Sequence, residues 1–128
     1  RAATDEDWKK LERYMGMPEN EIDSLISDYM TRGAANSIGK KLKANDPAWI
    51  WSITGETGNG IGMWGFNVLP GGVSQSTNVY LMNNPEFRYN EANICTWTRE
   101  FSILYDGVGR SFANVNMRGS VRCVKDRQ

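Results

Sequence analysis

The chain contains no histidine. That absence excludes Ser-His-Asp hydrolysis, Cys-His proteolysis and every His-ligated zinc, haem or non-haem iron site. With two cysteines, a closed four-thiolate metal site is excluded as well. Net charge is also lacking: fifteen Lys and Arg offset fifteen Asp and Glu, so no overall field draws in nucleic acid or an anionic membrane surface. No apolar run reaches the length of a membrane span, and neither a charged-then-apolar leader nor an Asn-x-Ser/Thr sequon occurs. The chain opens inside a helix-initiating sequence without methionine, which reads as a processed or trimmed fragment.

What is present is a 128-residue chain with 40% hydrophobic and 23% charged residues, enough for one domain with a real core. Charge is balanced but uneven. Residues 1–30 carry eight acids against four bases, and residues 88–128 carry seven bases against four acids. The plainer reading of the basic part is a solvated arginine surface facing the acidic front.

Thr4 and Asp7 form a capping-box pattern, with Asp5, Glu6 and Asp7 as first-turn acids. Trp8, Leu11 and Met15 then share one helical face, and Gly16 and Pro18 end the helix. A second helix is expected through Ile22, Leu25, Ile26, Tyr29 and Met30, with Gly33 as its stop. Leu25 and Ile26 are expected in the core, where Leu25→Ala costs about 2–5 kcal/mol. A short helical turn is expected within 36–44. Beyond Pro47 come short β-type stretches at 49–54, 66–69, 78–81, 94–98, 102–105, 111–115 and 120–124. Pro70-Gly71-Gly72, Asn83-Asn84-Pro85 and Asp106-Gly107 separate them. Helices first and strands afterwards make an α+β class without βαβ alternation.

Gly60-Ile61-Gly62-Met63-Trp64-Gly65 matches G-x-G-x-x-G by letter. A dinucleotide site needs a helix to follow, whereas Phe66-Asn67-Val68-Leu69-Pro70 reads as a strand ending in a turn. The run is therefore a glycine loop carrying an aromatic side chain. Glu91, Glu100 and Asp106 are acids of the kind glycoside hydrolysis uses, but nothing in their spacing selects a pair. Cys95 and Cys123 fit a disulfide or two small hydrophobes. In a strand Cys95, Trp97 and Arg99 share one face, and Thr96, Thr98 and Glu100 share the other. Cys95 and Trp97 are expected inside, leaving Thr96 and Thr98 outside.

Several blocks go further: Thr4-Asp5-Glu6-Asp7-Trp8-Lys9-Lys10-Leu11-Glu12, Gly39-Lys40-Lys41-Leu42-Lys43-Ala44, Gly65-Phe66-Asn67-Val68-Leu69-Pro70-Gly71-Gly72 and Ser120-Val121-Arg122-Cys123-Val124-Lys125-Asp126. In this order they resemble the Fibrobacter succinogenes major paralogous domain of exported and surface lipoproteins of Bacteroidetes and Fibrobacteres. Cys95-Thr96-Trp97-Thr98-Arg99-Glu100 is similar to the family's aromatic strand. The resemblance implies a single C-type-lectin-like domain over residues 1–128, two helices followed by short twisted antiparallel strands and long loops, lacking the family's usual front segment. It also implies an exported or cell-surface location, and makes a Cys95–Cys123 bridge plausible. The Glu-Pro-Asn, Gln-Pro-Asp and Trp-Asn-Asp triplets of calcium-dependent sugar sites are absent; Asn84-Pro85-Glu86 is a scrambled near miss. No metal site and no cofactor are expected.

The function these readings imply is a non-catalytic binding module for a glycan or protein ligand, with no nucleic-acid partner and no membrane insertion. The alternative is a structural or fimbrial assembly domain, and a formylglycine-generating or glycosidase-like enzyme ranks third. Expected ligand contacts are Thr96, Thr98, Tyr105, Arg110 and Asn114, with Trp97 packed behind them and Trp64 as the second location. Replacing Tyr105 and Arg110 by Ala is expected to weaken binding with little change in stability.

Overall fold

A computed structural model describes residues 1–25, 31–46, 49, 60–70, 78–90 (backbone), 93–114 and 120–126. Helix α1 spans Asp5–Tyr14, α2 is the single turn Glu19–Ile22, and α3 spans Ile38–Leu42. Strands β1 (Asn78–Asn90), β2 (Asn93–Ser102), β3 (Gly109–Asn114) and β4 (Ser120–Val121) follow. The α+β class holds.

Helix α1 forms for local reasons. The Thr4 hydroxyl accepts the Asp7 N–H at 3.1 Å, and the Asp7 carboxylate accepts the Thr4 N–H at 2.9 Å, which satisfies two of the helix's orphan donors. At the other end Gly16 takes φ +97°, while Gly16 N–H reaches the Arg13 carbonyl and Met17 N–H the Glu12 carbonyl. This paired closure defines a Schellman stop. Trp8 and Met15 are buried as expected and Leu11 packs against the core, but Asp5 and Glu12 are buried on the same helix.

The second helix is shorter than its pattern predicts. Ile22 is fully buried, but Leu25 is 53% exposed, and Ile26, Tyr29 and Met30 lie outside the described residues. The turn ends at Asp23, whose φ of −92° and ψ of 2° depart from the helix, and whose carboxylate meets Lys9 at 2.7 Å while its carbonyl accepts Arg110 at 3.0 Å.

The four strands lie in the order β3-β2-β1-β4, with β1–β2 and β2–β3 antiparallel and β1–β4 parallel. Asn83-Asn84-Pro85, expected as a turn, instead lies inside β1, at a register shift between Met82 and Glu86. A proline inside a strand is accommodated at such an irregularity. Residues 66–69 contribute one bridge, Lys43 to Val68, and of the stretch expected at 102–105 only Ser102 is strand, the end of β2, while Ile103 and Leu104 form a turn. Of the stretch expected at 49–54, only Trp49 is described; it is fully buried, and its indole N–H donates to the Val68 carbonyl at 2.8 Å.

The core joins Trp8, Ile22, Ile38, Leu42, Trp49, Phe101, Ile103 and Val108. Gly39 is required where α3 meets the 106–107 turn, because a Cβ there would stand 2.1 Å from the Gly107 carbonyl oxygen. Residues 1–3 pair with 122–124 through the Ala2–Cys123 bridge and the Ala3 N–H to the Arg122 carbonyl. Cys95 and Cys123 are both free, the first buried and the second exposed, so the expected bridge is not formed. Cys95 sits inside β2 opposite Asn114 and Phe87, whereas Cys123 pairs with the opening segment.

Candidate functional site

The polar strand face expected to carry a ligand is covered. Thr96, Thr98 and Glu100 are as buried as Cys95 and Arg99, because β2 is flanked by strands on both edges and covered on both faces. Strict alternation marks an inside and an outside only when one face is wet. Trp97, expected in the core, is half-buried.

Arg110 is also interior. Its guanidinium donates to Asp5 at 2.7 and 3.0 Å, and it stacks 4.0 Å from the Trp97 ring centroid. Arg99 reaches the same Asp5 at 2.8 Å and Glu12 at 2.5 Å, and Arg32 reaches the other Glu12 oxygen at 2.5 Å. Arg32 also donates to the carbonyls of Ile22 and Val108. Two carboxylates from α1 thus tie together the segment after α2, β2 and β3. Burial alone raises the Asp5 carboxyl, but hydrogen bonds and charge from Arg110 and Arg99 hold it well below the usual carboxylate range. These groups are structural. The spacing Asp5, Trp8, Glu12 along one helical face was the available signal for them.

Tyr105 and Asn114 are half-buried. The Tyr105 carbonyl accepts Lys43 Nζ at 2.9 Å, and the Asn114 amide donates to Asn93 at 3.4 Å. The expected contacts Thr96, Thr98, Tyr105, Arg110 and Asn114 therefore do not form one exposed surface. Burial pushes Lys43 down to about 8, the direction amine catalysis exploits. Its ammonium is held by the Ser102 and Tyr105 carbonyls and lies 5.4 Å from the Trp49 ring centroid, with almost no access to solvent.

Trp64 is different. Its side chain is 63% exposed and lies 5.5 Å, centroid to centroid, from Tyr14, which is 79% exposed. The two planes are inclined at 46°. Trp64 itself takes φ +56° and ψ +24° in a 3-10 turn, Met63–Gly65. For a bulky side chain this left-handed conformation costs about 1–3 kcal/mol and persists only where its surroundings enforce it. Here they do. Ile61 and Gly62 N–H groups bond the Lys40 and Lys43 carbonyls, and Val68 N–H bonds Leu42, fastening both ends of the loop to α3. Tyr14 went unrecognised in the sequence, since no local pattern links it to a tryptophan fifty positions away.

Beside this pair lies an almost wholly apolar cavity of about 250 Å³, lined by Ala3, Asp7, Trp8, Leu11, Phe66, Arg122 and Val124. Phe66 meets Trp8 edge-on at 5.5 Å, and the Arg122 guanidinium stacks 4.3 Å from the Phe66 centroid. Among the described residues no cluster of three or more Cys, Asp or Glu side chains is placed to hold a metal ion, and no helix is long and apolar enough to cross a membrane.

In comparisons with known proteins, the sequence model of one family, described as Fibrobacter succinogenes major domain (Fib_succ_major), matches residues 1–125. No curated protein and no solved structure matches the chain.

Proposed function

The chain belongs to the Fibrobacter succinogenes major domain family, and on that premise we propose that it is a non-catalytic binding module of an exported, cell-surface protein. It recognises a glycan or protein ligand through the Trp64 loop, and the C-type-lectin-like architecture belongs to the same proposal. Support for that architecture comes from helical elements that precede antiparallel strands, with an irregular loop presenting the candidate contact. The observation that carries the reading is the Trp64 backbone: a strained conformation is maintained where it holds a large ring out in solvent against a second exposed ring. Aromatic side chains with one free face stack on sugar rings or anchor protein partners.

The test is a glycan array and an immobilised panel of surface proteins, probed with the intact chain and with Trp64→Ala. Binding that falls roughly tenfold or more in the variant, with unchanged circular dichroism, supports the reading. Equal affinity in the variant overturns the assignment of the site.

A second reading, an assembly domain, is favoured by Ile61 and Leu69, which are 56% and 50% exposed on either side of Trp64 in the chain. Exposed apolar groups in one region mark contact surfaces. Concentration-dependent self-association that is lost in Trp64→Ala selects this alternative.

A further inference from the structure

We propose that the cavity beside Tyr14 and Trp64 receives a bulky apolar side chain of a protein partner, and that the basic rim selects a partner segment acidic around that residue. The inference rests on the binding-module reading and names its ligand class. Two ring pairs join the same two segments: Trp8 with Phe66, and Tyr14 with Trp64, each at 5.5 Å. Leu11, one turn before Tyr14 on α1, and Phe66, two residues after Trp64, both line the cavity, so the exposed pair and the cavity are built on the same two segments.

The contents of the cavity indicate what it takes. Its volume of about 250 Å³ is below the roughly 300–1,000 Å³ usual for small-molecule sites, and suits one large side chain. Its walls are carbon, and the Asp7 carboxylate is already committed to Arg1 and to the Thr4 cap. A sugar would lose its hydroxyl hydrogen bonds there, whereas an aromatic or aliphatic side chain would lose nothing.

The rim gives the sign of charge. A polar depression that shares Asp7 and Val124 with the cavity also carries Lys10 and Lys125. Its two acids, Asp7 and Asp126, are both bonded to Arg1. Among the described residues, Lys10, Lys125 and Arg122 form no ion pair, which leaves three cations for a partner. Complementary charge raises association rate and excludes wrong partners.

The experiment uses three capped pentapeptides: phenylalanine flanked by acidic residues, phenylalanine flanked by lysines, and alanine flanked by acidic residues. Amide shifts of the isotope-labelled chain are recorded on titration. The acidic phenylalanine peptide is expected to shift Leu11, Phe66 and Val124, and to bind roughly tenfold or more tightly than either control. Added salt and the surface double variant Lys10→Glu/Lys125→Glu weaken it without unfolding the chain. Equal binding of the lysine peptide, shifts confined to other residues, or no shift at all overturns the inference. So does occupation of the cavity by a second copy of the chain. Trp64-dependent glycan binding without peptide binding overturns this inference and leaves the binding-module reading intact; no Trp64-dependent binding together with no peptide binding overturns both.

Discussion

Arg99 and Arg110 stand opposite each other across β2 and β3, and both close on the single carboxylate of Asp5. Two like charges on neighbouring strands are tolerated because one helix supplies the counter-charge between them. Arg99 also takes Glu12, which Arg32 shares. The sheet and α1 are thus joined by ion pairs in addition to the apolar contact of Trp8 with Phe101.

Glu12→Gln leaves Arg99 and Arg32 buried without their shared carboxylate. Removing one partner from a buried pair costs about 3–5 kcal/mol. Urea denaturation should show a loss of that size, and Arg110→Ala should also destabilise. A change below about 0.5 kcal/mol in Glu12→Gln, the size of an ordinary surface substitution, would mean that the network is open to water.

Asp5, the buried one of the carboxylates held low, contributes to the acid side of the stability profile. Its folded carboxyl titrates well below the ordinary 3.8, so its contribution is complete above that value and declines as pH falls beneath it. Asp5→Asn should flatten the acid limb of a pH series of thermal melts. An acid limb unchanged in the variant places the acid sensitivity elsewhere.

Lys43 acts on the alkaline side with the opposite cost. Burial lowers it to about 8 from 10.5, so between these values the unfolded chain holds the proton more often than the folded one. Stability from this group therefore rises with pH across the window. The difference in urea midpoint between the native chain and Lys43→Met should move in favour of the native chain from pH 8 to 10.5. Parallel profiles would contradict this.

At Trp64 the left-handed backbone gives glycine an advantage over alanine. Trp64→Gly should be more stable than Trp64→Ala by about 1 kcal/mol, since only glycine adopts φ > 0 without steric cost. Thermal melts of the two variants decide it; alanine equal to glycine would mean that the turn relaxes on truncation.

Free-thiol titration should find two thiols in the denatured, unreduced chain. In the native chain Cys123 should react quickly and Cys95 only on unfolding, because one is exposed and the other buried. A single slow class for both would contradict the placement of Cys123.

The first helix was legible down to its caps, since Thr4, Asp7 and Gly16 act on their immediate neighbours. The cores of β2 and β3 were legible as well, as aromatic and β-branched stretches. Pro85 misled, because a proline within a strand and a proline in a turn look alike until the partner strand is known. The buried faces of Thr96 and Thr98 were hidden for a related reason: what covers them comes from elsewhere in the chain. Trp64 was visible as an aromatic side chain in a glycine loop. Its partner Tyr14 was not, because their proximity follows from the loop's backbone bonds to α3.

The paired arginines also serve as a key for strand alignment. Were β2 to slide by one position, either Thr98 or Glu100 would occupy the place of Arg99. Thr98 would leave Glu12 and Asp5 short of a cation, and Glu100 would set a third negative charge against them. Apolar side chains on both sides of a covered strand discriminate weakly between such alignments, because one hydrophobe substitutes tolerably for the next. A buried charge does not permit that substitution. The arginine on β2 thus disfavours a one-position slip of the strand, whatever net stability its ion pairs add.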